Sequence, residues 1–194
     1  MQKFIRIRAV AASLPIANVD TDMIIPARYM KGLGREGLGQ HLFHSMRFAA
    51  DGSEQIDFIL NNPECRNAQI LIGDRNFGTG SSREHAIWAL ADFGIRCVIA
   101  PDFADIFASN ARKQGLLLIR LSEEACNHIR SEVVLSQHAP ITVDLEALCI
   151  TLASGEEMPF AIEASDRHIL MGGLDDIDRT LRFAGAIERF EQRR

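Results

Sequence analysis

The sequence predicts an α/β fold, with a parallel βαβαβ core and a second, smaller sheet beside it. In the middle of the chain, short apolar runs alternate with amphipathic segments that end at glycine. Because the connections between these runs are short, the runs are expected to pair as parallel strands with right-handed helical crossovers. A chain of 194 residues can bury one hydrophobic core, so we expect a single domain over residues 1–194.

The parallel core is predicted from five consecutive elements. In chain order they are a strand at 68–73, a helix at 81–93, a strand at 96–100, a helix at 103–114 and a strand at 116–121. Gly94 and Gly115 follow the last apolar residues of the two helices, as glycine often does at helix ends.

The second sheet is predicted from the two ends of the chain. Residues 1–10 place Lys3, Arg6 and Arg8 between single apolar residues, which is the alternation of a strand. The later elements are a helix at 123–134, short strands near 141–144, 148–153 and 158–162, and a helical pattern that opens at 167. We expect the N-terminal strand to pair with these late strands.

Composition excludes several classes of function. Hydrophobic residues make up 47% of the chain and charged residues 24%, as in ordinary globular proteins. The formal net charge of −5 argues against a nucleic-acid partner, which would require clustered Lys and Arg. No apolar run is long enough to span a bilayer, and the N-terminus lacks a signal peptide's apolar region, so we expect no membrane partner and a cytoplasmic location.

The four cysteines, Cys65, Cys97, Cys126 and Cys149, are widely dispersed. No CxxC pair occurs, and no histidine stands near them at ligand spacing. We therefore expect no zinc ion or iron–sulfur cluster held by this chain alone, and we interpret these cysteines as small apolar packing residues.

A candidate anion site lies at residues 73–85 (GDRNFGTGSSREH), where a strand end, a glycine-bearing loop and a helix start follow one another. The first N–H groups of a helix lack intrahelical partners and bind anions. Gly78 and Gly80 would let a ligand approach the backbone. Ser81 or Ser82 is expected to be the N-cap of the helix.

Arg83 adds a planar guanidinium that suits a carboxylate. A purely structural alternative is that the serines and glycines only cap the helix and form a turn; the second serine and Arg83 favour a ligand site, since a cap needs one hydroxyl. The segment lacks the Gly-Lys-Ser/Thr of a P-loop and the Gly-x-Ser-x-Gly of serine hydrolases. His85 is expected on the same helical face as Ser81, where it either assists that serine or packs.

Residues 78–86 (GTGSSREHA) resemble the signature of the swivelling domain of aconitase-type dehydratases. Three further segments resemble the same family: residues 18–26 (NVDTDMIIP), 103–107 (FADIF) and 110–118 (NARKQGLLL). Their order and spacing are similar to those of the stand-alone small subunits of isopropylmalate isomerase. The resemblance covers essentially the whole chain and implies a layered β/β/α swivelling domain.

The resemblance also implies an activity. Enzymes of this type remove water from a hydroxy di- or tricarboxylic acid and add it back on the neighbouring carbon. Here it implies a hydro-lyase of leucine biosynthesis that interconverts 2- and 3-isopropylmalate and is active only with a large subunit. A [4Fe-4S] cluster is expected in that subunit as a Lewis acid, and no cofactor is expected on this chain.

Roles for individual residues follow from the resemblance. Ser81 would be the base that removes a proton from the carbon beside a carboxylate, and Arg83 would bind a substrate carboxylate. Asp22 would orient or support that group; its alternative role is to cap a turn. The remaining predicted substrate-binding residues of this segment are Thr79, Gly80 and Ser82.

A glycine-rich specificity loop is expected at about 27–48, mobile in the absence of the partner. Tyr29, Met30 and Leu33 could form an apolar wall for an isopropyl group. The positive charges of Arg28, Lys31 and Arg35 could instead reach the same place, or the whole loop could only contact the large subunit.

Two alternative functions remain open at this point. One is a small subunit for a homoaconitase or a methyl-substituted malate dehydratase, with the same chemistry and a different loop. The other is a non-catalytic anion-binding or assembly module, which would not need Ser81 as a base.

Overall fold

The computed structural model describes residues 1–30, 34–181 and 183–192, which form two four-stranded sheets with helices around them. The strands are β1 (Arg6–Ala9), β2 (Ala11–Ser13), β3 (Ile70–Ile72), β4 (Cys97–Ala100), β5 (Leu117–Arg120), β6 (Ile141–Asp144), β7 (Cys149–Thr151) and β8 (Glu157–Pro159). The helices are α1 (Thr21–Ile24), α2 (His44–Arg47), α3 (Glu84–Phe93), α4 (Asp105–Gln114), α5 (Glu123–Leu135), α6 (Ala164–Gly172), α7 (Asp176–Leu181) and α8 (Ala184–Glu191). Short 3-10 helices cover Ala27–Tyr29, Gly39–His41 and Ile59–Asn61.

The parallel sheet has the order β2-β3-β4-β5 and confirms the predicted βαβαβ core, since α3 joins β3 to β4 and α4 joins β4 to β5. Every residue of β3 and β4 is buried, as expected for parallel strands covered on both faces. Because side chains alternate along a strand, Leu71 and Val98 face the core formed with α3 and α4, whereas Ile70 and Ile99 face the opposite core.

The second sheet is antiparallel, has the order β1-β6-β7-β8, and confirms the predicted pairing of the N-terminal strand with late strands. It packs with α5 against the opposite face of the parallel sheet, through Ile129, Val143 and Ile150 among others. The N-terminal segment contributes to both sheets, because β1 ends at Ala9 and β2 starts two residues later at Ala11. The result is a layered β/β/α fold, as predicted.

Only part of the predicted loop at 27–48 lies at the surface. From Leu38 onward the chain is packed, and Leu38, Leu42 and Phe43 are fully buried. Gly39 lies directly on the end of α3, where its N–H donates to Asp92 Oδ2 at 2.7 Å and an added Cβ would lie 2.5 Å from the nitrogen of Phe93. This contact anchors the second half of the predicted loop to α3.

In the part of the chain that the structure describes, no helix is long and apolar enough to cross a membrane.

Candidate active site

The loop after β3 lies against the segment before α1, so that two of the segments that carry the family resemblance meet. Backbone hydrogen bonds join them: Gly78 N–H donates to the carbonyl of Val19 at 2.7 Å, and Thr21 N–H donates to that of Thr79 at 2.9 Å. A parallel bridge pairs Asp20 with Thr79. These contacts bring Ser81 beside the start of α1.

The end of β3 is fixed from the other side of the sheet by Arg130, a buried residue of α5. Its Nη1 donates to the carbonyl of Gly73 at 2.6 Å, and its guanidinium lies 3.8 Å from the carboxylate of Asp74. The sequence did not point to this residue, because nothing in the local pattern of α5 distinguishes a buried arginine from a solvated one.

Gly78 is required by a close approach. Its φ is +79°, and an added Cβ would lie 2.2 Å from Cγ of Phe107, in α4. A side chain there would combine left-handed backbone strain with a clash against a buried ring. The loop can therefore follow this path only with glycine at this position.

We expect Gly78→Ala to lower the free energy of unfolding by about 3 kcal/mol, because backbone strain and overpacking add. In a chain of this size that corresponds to a fall in melting temperature of about 8 °C, measurable by calorimetry. Gly155→Ala is the matched control: Gly155 also has a positive φ, +89°, but an added Cβ meets nothing within 4 Å. It should lose only about 1 kcal/mol. Equal losses in the two variants would show that the contact with Phe107 is unimportant.

Helix α3 starts at Glu84, three residues later than predicted, and this corrects two predictions. Arg83 is the N-cap residue, with extended backbone, and no side chain caps the helix, so neither Ser81 nor Ser82 is the cap. The Arg83 N–H donates to the carbonyl of Ser81 in a turn that ends before the helix. Ser81 and His85 therefore do not share a helical face, and His85 lies 4.7 Å from the Trp88 ring instead.

The two serines precede an uncapped helix N-terminus and are exposed. Ser81 Oγ lies 3.2 Å from Thr21 Oγ1, and Thr21 is buried. Thr21 is a second residue that sequence analysis missed; its position in the segment at 18–26 was the available clue. Among the described residues, the Ser81 hydroxyl has this one hydrogen-bonding contact and does not cap the helix. It is therefore accessible to a ligand.

Arg83 and Asp22 form an ion pair through Arg83 Nη1 and Asp22 Oδ1. Asp22 does not cap the turn: that role belongs to Asp20, whose Oδ1 accepts a hydrogen bond from the Met23 N–H at 2.7 Å. The side chain of Arg83 is 31% exposed, and the pair occupies only one of its terminal nitrogens. Its other N–H groups can therefore still bind a carboxylate.

The predicted specificity residues lie just beyond α1. Tyr29 and Met30 are half-buried, and Leu33, like Lys31, lies outside the described residues. Among the described residues, no hydrogen bond or ion pair joins Tyr29 to the serines or to Arg83. The guanidinium of Arg35 lies over the Trp88 ring, 5.4 Å from the centroid.

The cysteines do not form a metal site. All four are free thiols, and Cys65, Cys97 and Cys126 are buried in the cores. Burial raises the pKa of Cys65 and of Cys126 to about 11, which disfavours the thiolate that binds metals. Within the described ranges, no group of three or more His, Cys, Asp or Glu side chains could hold a metal ion. The four cysteines, all among the described residues, therefore do not offer the ligand set of an iron–sulfur cluster.

Comparisons with known proteins show the family of the chain. Residues 1–124 match the family model of the aconitase C-terminal domain. The chain is 54% identical over 194 residues to the 3-isopropylmalate dehydratase small subunit of Granulibacter bethesdensis, covering 100% of this chain and 93% of that relative. It is 49% identical to the small subunit of Ruegeria pomeroyi, covering 98% and 95%.

A solved structure supports the fold. The crystal structure of a 3-isopropylmalate dehydratase from Methanocaldococcus jannaschii matches with a TM-score of 0.68 at 24% identity, covering 96% of this chain and 99% of that one. The fold and the resemblance predicted from the sequence are thus confirmed. The chain belongs to the family of 3-isopropylmalate dehydratase small subunits and carries the aconitase C-terminal domain.

Proposed function

We propose that this chain is the subunit of an isopropylmalate isomerase that supplies the proton-transfer and carboxylate-binding half of the active site. The reaction interconverts 2- and 3-isopropylmalate by removal and re-addition of water, as a step of leucine biosynthesis. The observation that carries the proposal is that Ser81 is exposed, does not cap the helix and contacts Thr21, two residues before Arg83, which pairs with Asp22 at the start of α3.

Dehydration requires that a proton leave the carbon beside a carboxylate while the hydroxyl leaves the neighbouring carbon. We assign the proton to Ser81 Oγ. When water is added back across the double bond, Ser81 returns a proton to the carbon that lost the hydroxyl, and the hydroxyl adds to the neighbouring carbon. A serine hydroxyl is a weak base in water, so its alkoxide must be stabilised. The free N–H groups at the start of α3, the Thr21 hydroxyl and the positive charge of Arg83 supply that stabilisation.

Substrate carboxylates are assigned to Arg83 and to the loop before α3. Arg83 presents its unpaired N–H groups to a carboxylate, and Asp22 holds the guanidinium in one orientation. Thr79, Gly80 and Ser82 belong to the loop that we expect to contact the substrate. Gly80 has a φ of +95°, and this conformation turns the backbone toward α1. Tyr29, Met30 and Leu33 are assigned to the isopropyl group.

The partner is proposed to be a large dehydratase subunit that carries a [4Fe-4S] cluster. When bound, such a cluster supplies Lewis-acid activation of the leaving hydroxyl. We place the assembled enzyme in the cytoplasm, where the four free thiols would stay reduced.

A substrate panel tests the specificity. The chain would be assembled anaerobically with its cluster-loaded large subunit and assayed with isopropylmalate, a homoaconitate-type tricarboxylate and methyl-substituted malates. We expect the highest kcat/KM with isopropylmalate, because the half-buried side chains of Tyr29 and Met30 offer apolar surface for an isopropyl group. A higher kcat/KM for the tricarboxylate would refute the assignment of an apolar wall and favour the homoaconitase alternative.

A further inference from the structure

Tyr29 is held between two histidines that follow it in the chain. Its ring stacks on that of His41, with centroids 4.1 Å apart and an interplanar angle of 8°. Its hydroxyl lies 2.9 Å from Nε2 and 3.2 Å from Nδ1 of His44. Stacking restrains the plane of the phenol, and the contact of its hydroxyl with the His44 imidazole restrains its direction. Together the two contacts restrict the orientation of the side chain.

The histidines are themselves held by the packed part of the chain. His41 ends the 3-10 helix Gly39–His41, which Gly39 anchors to Asp92 at the end of α3. His44 opens α2, directly after the fully buried Phe43, and its ring lies 4.9 Å from that of Phe48. The two histidines that contact Tyr29 are therefore held in place by the core of the domain.

The surroundings of the two histidines favour their neutral forms. Burial lowers the pKa of both His41 and His44. The charged and titratable groups that face His44 are Arg28, His41 and Arg47, and each of them lowers its pKa further. The Arg28 guanidinium also lies over the Tyr29 ring, 4.9 Å from the centroid. A neutral imidazole keeps one nitrogen as an acceptor, so it can accept a hydrogen bond from the phenol.

We propose that His41 and His44 are positioning residues that restrict the orientation of Tyr29, and that affinity for isopropylmalate depends on them through Tyr29. This inference rests on the proposed function, because it assigns the Tyr29 ring to the wall around the isopropyl group. A free tyrosine side chain would lose rotamer entropy each time a substrate packed against it. A ring that is held in place before binding avoids that loss. Substitutions that remove the contacts of Tyr29 with the histidines should therefore raise KM and leave kcat nearly unchanged.

A spectroscopic experiment tests the coupling without any assay of activity. Tyr29 is the single tyrosine of this chain, so labelling the chain with ¹³Cζ-tyrosine and assembling it with unlabelled large subunit gives one resonance. We expect this resonance to move in a pH titration below 6.5, as His44 gains a proton and its lone acceptor nitrogen is lost. His44→Gln should abolish the step. A step that survives in that variant, or no step in the unsubstituted chain, would overturn the coupling.

Kinetics then test whether the coupling serves the substrate. His44→Phe should raise KM about fivefold, the loss expected for one hydrogen bond, with kcat changed less than about twofold. In a Tyr29→Phe background the same substitution should have almost no further effect, because the hydrogen bond is already absent. His44→Gln, which retains a hydrogen-bonding side chain, should recover most of the affinity. His128→Phe, at an exposed histidine paired with Glu156, is the matched control and should change neither constant.

The two experiments distinguish failure of the positioning role from failure of the proposed function. Equal KM effects of His44→Phe in both backgrounds would overturn the positioning role even if the resonance titrates, and the cluster would then only pack the fold. If His44→Phe does not assemble, the Tyr29→Phe and His44→Gln variants decide: an unchanged KM in Tyr29→Phe contradicts the inference. Absence of turnover with isopropylmalate in the unsubstituted enzyme would instead refute the proposed function, and the NMR result would not depend on it.

Discussion

Ser81→Ala is expected to lower kcat of the assembled enzyme about a thousandfold, while KM and assembly stay near those of the unsubstituted protein. Loss of a general base costs about 10²–10⁴ in rate. The substitution removes only the hydroxyl, and within the described residues that hydroxyl makes one hydrogen-bonding contact, with Thr21 at 3.2 Å. Stability should therefore change little, and steady-state kinetics with size-exclusion chromatography of the complex would separate catalysis from assembly.

The matched control for this variant is Ser131→Ala. Ser131 is an exposed serine in α5 whose hydroxyl donates to the carbonyl of Asn127, four residues earlier in the same helix. It should retain full activity. A Ser81→Ala enzyme with more than about a tenth of normal kcat would contradict the assignment of the base, because an essential base cannot be replaced that well.

Arg83→Lys is expected to lower kcat/KM about a hundredfold. Lysine keeps the positive charge but cannot pair with Asp22 and a substrate carboxylate through one planar group. The loss of one charge-assisted hydrogen bond, with poorer orientation of the remaining one, amounts to about 2–3 kcal/mol. Asp22→Asn should have a smaller effect in the same direction, because the guanidinium would remain but lose its orienting partner.

Arg66→Lys serves as the comparison for Arg83→Lys. Arg66 also pairs with a carboxylate, that of Glu54, and its side chain is 50% exposed. Exposed ion pairs contribute little, so the control should be active and nearly as stable as the unsubstituted chain. If Arg83→Lys and Arg66→Lys had the same kcat/KM, Arg83 would not bind the substrate.

The sequence was sufficient for the fold because its local patterns agree with its tertiary structure. The apolar runs around Leu71 and Val98 are buried strands, and the run around Leu118 is a partly buried one. Gly94 and Gly115 end α3 and α4, as predicted, and both are in the left-handed conformation. The division of the N-terminal segment into β1 and β2 was not predictable, since nothing at Val10 marks a change of sheet. Pairing between distant strands decides it.

The sequence proposed Ser81, Arg83 and Asp22 as site residues, and their roles stay a prediction. The local geometry was not predicted, because the start of α3 was placed too early. Serine is so common at helix starts that propensity favoured it as the cap, whereas Gly78 and Gly80 hold the loop in a path that delays the helix to Glu84.

The histidine cluster was likewise hidden from the sequence. His41 and His44 stand more than ten positions after Tyr29, so only folding brings the three rings together. The Thr21 contact with Ser81 spans 60 positions and depends on the pairing of two loops. Contacts between separate loops leave no periodic pattern, and for that reason sequence analysis did not find them.

The central claim is that this chain completes an active site shared with a large subunit and contributes Ser81 to it. The most direct test is a competition titration, in which a fixed amount of cluster-loaded large subunit receives mixtures of unsubstituted chain and Ser81→Ala chain. We expect no isopropylmalate turnover from either subunit alone, and activity that falls in proportion to the Ser81→Ala fraction, because the variant occupies the partner without catalysis. Turnover by the large subunit alone, or activity that does not change with the Ser81→Ala fraction, would contradict the claim.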